Sequence, residues 1–171
     1  MTCAARSRDP RVPDLRAVLA ELDDARAAFH DALGEVDAEL VTVPGVLEDW
    51  SVRDIVVHVA AWCEHAAGAL DLAASGRGEA FAYSTGDTDA MNARILADGR
   101  SVSPAAALAR EEAGFRGFRD RLAALDPELL DLRLGNGDSV LEVVRYDGAD
   151  HYAEHTGHLR AWFADDDEDD A

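Results

Sequence analysis

The sequence predicts an all-α protein, a four-helix bundle with a short extra helix and long connections. Three observations predict it. Apolar residues recur at three- and four-residue intervals in four long stretches, the period of a helix with one buried stripe. Residues able to cap a helix stand at the start of several of these stretches,. Alanine, the strongest helix former, is abundant, and the β-branched runs are short,.

Residues 1–13 show no periodicity and are expected to form a flexible N-terminal arm,. Asp14 is a candidate N-cap for the first helix, whose stripe of Leu15, Val18, Leu22, Phe29, Leu33 and Val36 runs to about Ala38,. His30, beside Phe29, reads as a bundle-edge or surface histidine. In the next connection Pro44-Gly45 signals a turn,. Ser51, with Asp54 three residues on, forms a variant capping box, and Trp50 is placed to act in a hydrophobic staple,. The second helix then runs to about Ala74, with Ile55, Val59, Trp62, Ala66 and Leu70 inward.

Ser75 to Asp87 is a long loop carrying Phe81 and Tyr83, and long loops in compact domains are often functional,. The extra helix spans about Asp89 to Ala97. Ser103-Pro104 supplies an N-cap and a first-turn proline for the third long helix, which runs to Leu125 with Leu108, Phe115, Phe118, Leu122 and Leu125 inward,. Asp126-Pro127 breaks it, Leu134 to Asp138 is a turn, and Ser139 caps a segment from Val140 to Tyr146. Gly148 marks a break or kink before the last helix, Ala149 to about Ala164. The bundle domain is thus expected over 14–164, followed by a disordered acidic tail over 165–171,.

Asp plus Glu outnumber Lys plus Arg by 35 to 16, a formal net charge of −19, and every basic side chain is an arginine. That balance argues against nucleic acid or an anionic membrane as partner, since both are polyanions. No apolar run approaches the roughly 20 residues of a membrane span. The N-terminal arginines are not followed by the apolar segment of a signal peptide,. Two cysteines, Cys3 and Cys63, do not make a disulfide framework,. The expected compartment is the cytoplasm.

Half of the six histidines fall within eight residues near the C-terminus. His151 and His155 stand at i and i+4 on one helix face, with His158 at i+7,. Such a pair is as often a polar face as a ligand pair, and a third donor decides. Helix two offers His58, at the flank of its apolar face, where an ionisable side chain needs a partner,. Alone it reads as a core-edge histidine bonded to a carbonyl. In a bundle, however, sites are built from facing helices, and His58 with His151 and His155 makes a three-imidazole set suited to zinc, nickel, iron or copper. Three ligands leave positions open for water or substrate, and an ion with uncharged ligands can bring a bound water's pKa toward about 7.

The run Trp50-Ser51-Val52-Arg53-Asp54 through His58 to Trp62, with His151-x3-His155 on the final helix, resembles the DinB/YfiT-like superfamily over about residues 14–164. The Asp49 to Asp54 opening and the His151 to His155 run look most like its ClbS/DfsB branch; mycothiol-dependent maleylpyruvate isomerases and bacillithiol transferases are more distant relatives. The resemblance implies a bundle that holds a divalent transition metal, zinc or nickel first, on His58, His151 and His155. It implies an enzyme acting on a small-molecule substrate, the metal activating water for hydrolysis or a low-molecular-weight thiol for transfer or isomerisation. The alternatives are a metal-independent, ClbS-like hydrolase or binding protein that protects against an electrophilic metabolite, and a non-catalytic stress-related bundle. A homodimer is compatible with all three. His158 and Glu154 are the candidate catalytic groups: His158 as acid/base, as partner of a ligand or as a rim residue, Glu154 as an orienter of a ligand or a solvent-facing group. His65 lies nearly in line with His58, and Cys63 reads as packing rather than as a nucleophile.

Overall fold

The four apolar stripes become four long helices in the computed structural model, which describes residues 14–83 and 85–169, without the side chains of 85 and 165–169. The arm expected over 1–13 therefore lies outside the described residues. Helix α1 (Leu15–Gly34) starts on Asp14, whose carboxylate accepts from the Arg16 amide at 3.1 Å. It ends short of Ala38, at a glycine, the residue that loses most on entering a helix; Val36 still packs on the core from the following turn.

Ahead of α2 a short hairpin pairs β1 (Pro44–Leu47) with β2 (Trp50–Ser51), through Pro44 opposite Ser51 and Leu47 opposite Trp50. Its turn is at Glu48, which takes a left-handed φ of 52°, and not at Pro44-Gly45. Gly45 stays inside β1 with a φ of 125°, a conformation that side chains disfavour, and lies beneath Trp162,.

Helix α2 (Val52–Ala74) has the predicted capping box. Ser51 Oγ accepts from the Asp54 amide at 3.3 Å, and Asp54 Oδ2 accepts from the Ser51 amide at 3.0 Å. From Ile55 to Cys63 every residue of α2 is buried. It is the central helix, enclosed on all sides over that stretch, with a solvent face beyond it at Glu64, Gly68 and Asp71,. Turns at Gly78–Ala80 and Thr85–Asp87 then fold the predicted loop back, burying Phe81. Helix α3 (Thr88–Gly99) lies against α2.

Helix α4 (Pro104–Ala124), capped by Ser103, packs along α2. Its inward row is Ala107, Glu111, Phe115, Phe118 and Leu122, one residue round from the row expected at its start, so Leu108 is 45% exposed rather than inward. The displaced position belongs to Glu111, a fully buried carboxylate. It accepts from Arg26 at 2.8 and 2.9 Å, from Tyr152 Oη at 2.5 Å, and meets His30 Nε2 at 3.0 Å. Burial alone would raise the Glu111 pKa; the bonds to His30, Arg26 and Tyr152 outweigh it and hold the carboxyl down to about 2,.

After a turn at Pro127–Asp131, Ser139 caps α5 (Val140–Val144), which runs without a break through a wide π-helical turn (Arg145–Ala149) into α6 (Asp150–Asp169). The break expected at Gly148 is therefore a widened turn. A glycine stands there because a Cβ would lie 2.9 Å from Phe118 Cε1 and 3.1 Å from Leu22 Cδ1. The backbone of α6 continues past Ala164 into the expected tail. Helix α1 packs along α6, closing the bundle. Among the described residues no helix is long and apolar enough to cross a membrane.

Candidate metal centre

The central helix and the first two turns of α6 bring three imidazoles together. His58 Nε2 lies 2.8 Å from His151 Nε2, which lies 3.0 Å from His155 Nε2, and the three ligand atoms are within 4.8 Å of one another. All three side chains are buried. Burial, reinforced by each neighbour's charge, depresses their pKa values to about 3 for His58, about 3 for His151 and about 2 for His155,. A contact with the Asp147 backbone partly offsets this for His151. At neutral pH the rings are uncharged, the form that binds a metal. Convergent, buried, neutral Nε2 atoms fit a divalent transition metal.

The far sides of the rings are not equivalent. His155 Nδ1 meets His158 Nδ1 at 3.2 Å, whereas Nδ1 of His58 and of His151 is buried without a hydrogen-bond partner among the described residues. Trp50, packed against the core, stands with its ring edge-on to His58 at 5.0 Å, with Trp62 at 6.2 Å also edge-on to that imidazole.

A cavity of about 490 Å³ opens onto the triad. Its walls are aromatic, from Trp50, Trp62, Tyr83 and Tyr146, with the Asn92 carboxamide fixed by Trp62 Nε1 at 3.2 Å. Two carboxylates line it. Asp147, from the π-helical turn, is buried, and its Oδ2 accepts from His65 Nδ1 at 2.7 Å. Burial pushes the Asp147 carboxyl up to about 6 against the pull of His65. The His65 ring is itself held between Tyr83 at 4.7 Å and Trp62 at 5.2 Å.

Of the groups singled out in the sequence, His58, His151 and His155 come together, His65 sits behind the cavity wall, and Glu154 is exposed at the cavity rim. His158 stands behind His155, away from the cavity lining. Cys63 is buried against Tyr152 Oη at 3.4 Å, and burial pushes its thiol up to about 12, the environment of a packing residue,. Asp147 is the residue that sequence reasoning missed. The signal was available, since Asp147, His151 and His155 are spaced i, i+4, i+8 on one continuous rod, but a break assumed at Gly148 separated them.

A family model described as the mycothiol maleylpyruvate isomerase N-terminal domain matches residues 22–161, a span containing the triad, Asp147 and His158. The motif resemblance places those isomerases further away than the ClbS/DfsB branch; the match in sequence is to the isomerase domain. No curated protein matches the chain in sequence. Among solved structures, an uncharacterised protein from Escherichia coli UTI89 superposes with a TM-score of 0.77 at 16% identity, covering 93% of this chain and 98% of that one. The colibactin self-resistance protein ClbS, solved in complex with a dsDNA, superposes with a TM-score of 0.75 at 15% identity, covering 88% of this chain and 96% of that one. At these identities the likeness is one of fold.

Proposed function

Given that the chain belongs to the mycothiol maleylpyruvate isomerase N-terminal domain family, within the DinB/YfiT-like superfamily, we propose that it is a metal-dependent enzyme acting on a small molecule. His58, His151 and His155 would hold a zinc or nickel ion. When bound, that ion would supply the Lewis acidity that makes a low-molecular-weight thiol, or water, a nucleophile at neutral pH. The observation that carries the reading is the convergence of three buried, uncharged imidazole nitrogens on the floor of an aromatic cavity.

The surrounding residues then have distinct tasks. Trp50, Trp62 and Tyr83 hold the substrate and keep water away from the reacting atoms,. Asp147, oriented by His65, takes up a proton inside the cavity. His158 orients His155, and Glu154 meets the substrate at the rim. The mycothiol in the family's name favours a thiol over water as nucleophile. A cavity of about 490 Å³ also leaves room for more than one small group, within the usual range for ligand sites of about 300–1,000 Å³,. A net charge of −19 speaks against carrying the dsDNA of the ClbS structure over to this chain,.

Metal analysis of purified protein tests the proposal. About one transition-metal ion per chain is expected, and His155→Ala should lose it. Absence of metal, with no uptake on adding zinc or nickel, overturns the reading. Turnover of an electrophile only when a thiol is supplied separates thiol transfer from hydrolysis.

A further inference from the structure

We propose that this cavity selects ligands with one metal-binding head and a positively charged body, and rejects ligands whose body is anionic. The inference rests on the metal-dependent reading above for the head, and on the cavity walls for the body. Two carboxylates, Asp147 and Glu154, line the cavity, and among the described residues no arginine does. Lysine is absent from the chain, so arginine is its only permanent cation. Several arginines are committed elsewhere: Arg26 to Glu111, Arg110 to Glu64, Arg119 to Asp23, and Arg121 to Asp71. With the ion at the floor taken up by the head, an anionic body would thus lose its hydration beside Asp147 and Glu154, where the nearby basic side chain, His65, is already paired with Asp147,.

The remaining wall has the same preference. Trp50, Trp62, Tyr83 and Tyr146 line the space between the triad and the rim, and aromatic faces attract ammonium groups while offering nothing to a carboxylate,. Of the neutral polar side chains in that wall, Asn92 accepts from Trp62 through its Oδ1 and Thr88 pairs with the Tyr83 hydroxyl. From floor to mouth come the buried triad, then aromatic walls, then the exposed Glu154 at the rim. A second anionic group that lies away from the ion meets aromatic rings and carboxylates there.

Three thiols of one shape test this: HS–CH₂–CH₂–X with X as trimethylammonium, hydroxyl or sulfonate. The quaternary ammonium cannot coordinate and the sulfonate is a poor ligand, so the thiol is the head in each. Binding is read on the cobalt-loaded full chain by the thiolate-to-metal absorption band, and in parallel by fluorescence of the tryptophans. The ammonium thiol should bind at least tenfold more tightly than the sulfonate. Differences in thiol acidity cancel on comparison with Glu154→Gln, an exposed position, where that ratio should shrink several-fold; molar salt should shrink it too. Asp147→Asn should shrink it further. A ratio near one, a preference for the sulfonate, or a ratio unchanged in both variants overturns the charge selection, as does no response in either readout. A missing cobalt band with the same charge order in fluorescence overturns the metal reading and leaves the selection standing.

Discussion

His158 stands with its Nδ1 3.2 Å from the Nδ1 of His155, the one ring of the triad whose outer nitrogen has a hydrogen-bond partner among the described residues. For Nε2 of His155 to offer a lone pair, the ring's proton must sit on Nδ1. His155 Nδ1–H then donates to the His158 Nδ1 lone pair, which places the His158 proton on Nε2. Groups that orient a metal-binding histidine in this way typically change metal affinity by about 10–100-fold when removed. His158→Ala is therefore expected to weaken zinc binding by about that factor, measured by competition with a chromophoric chelator, with the helical circular dichroism unchanged. His158→Asn, whose amide oxygen can accept the same proton, should retain more affinity. Equal affinity in wild type and His158→Ala would remove the positioning role.

The triad also makes the metal-free protein sensitive to acid. The three rings fall from the usual 6.5 to about 3, 3 and 2, so between these values the unfolded chain binds more protons than the folded one. Stability must then decline as pH drops below about 6.5 and continue declining toward about 3. Urea midpoints of the metal-free protein between pH 7.5 and 5 should show that slope, and His58→Ala/His155→Ala should flatten it. The other histidines are common to both proteins and cancel. Parallel curves would mean the rings are not held neutral by the fold.

Glu111 acts in a separate, lower window. Its carboxyl is held down to about 2 from the usual 4.5, so the stability it contributes is complete above about 4.5 and is lost as pH falls toward about 2,. Glu111→Gln removes the charge that Arg26, His30 and Tyr152 converge on. Breaking a buried pair costs about 3–5 kcal/mol; the lower end is expected, because Arg26 also donates to Glu112 at 2.5 Å. Chemical denaturation at pH 7 measures the loss, and the acid slope between pH 4.5 and 2 should shrink in the variant. A loss below about 1 kcal/mol would make Glu111 an ordinary polar residue.

What could be read from the sequence was local or periodic. The Ser51–Asp54 and Ser103-Pro104 starts depend on residues within one turn, and both form as written. The i, i+4 spacing puts His151 and His155 together, and the bundle brings them to His58. The rest depended on partners far along the chain. Glu111 occupies an inward position of α4 because residues from α1 and α6 neutralise it, whereas its charge alone marks that face as outward and misassigns Leu108. Asp147 depended on the path through Gly148, where the contact with Phe118, and not any local helix preference, determines what the glycine is for.

That contact gives a prediction with its own control. In Gly148→Ala the new Cβ would meet Phe118 Cε1 at 2.9 Å and Leu22 Cδ1 at 3.1 Å, two side chains that are themselves fully buried. Alanine is the better helix former by about 1 kcal/mol, but overpacking a core that cannot retreat costs about 1–3 kcal/mol. The clash should win, lowering the thermal midpoint. Because Asp147 precedes the glycine and His151 follows it within one turn, metal affinity should fall with it. Gly157→Ala lies on the same helix, and its Cβ would meet nothing within 4 Å, so it should leave metal affinity unchanged and raise the midpoint. If the two alanines shift stability in the same direction, close packing against Phe118 is not what the widened turn requires.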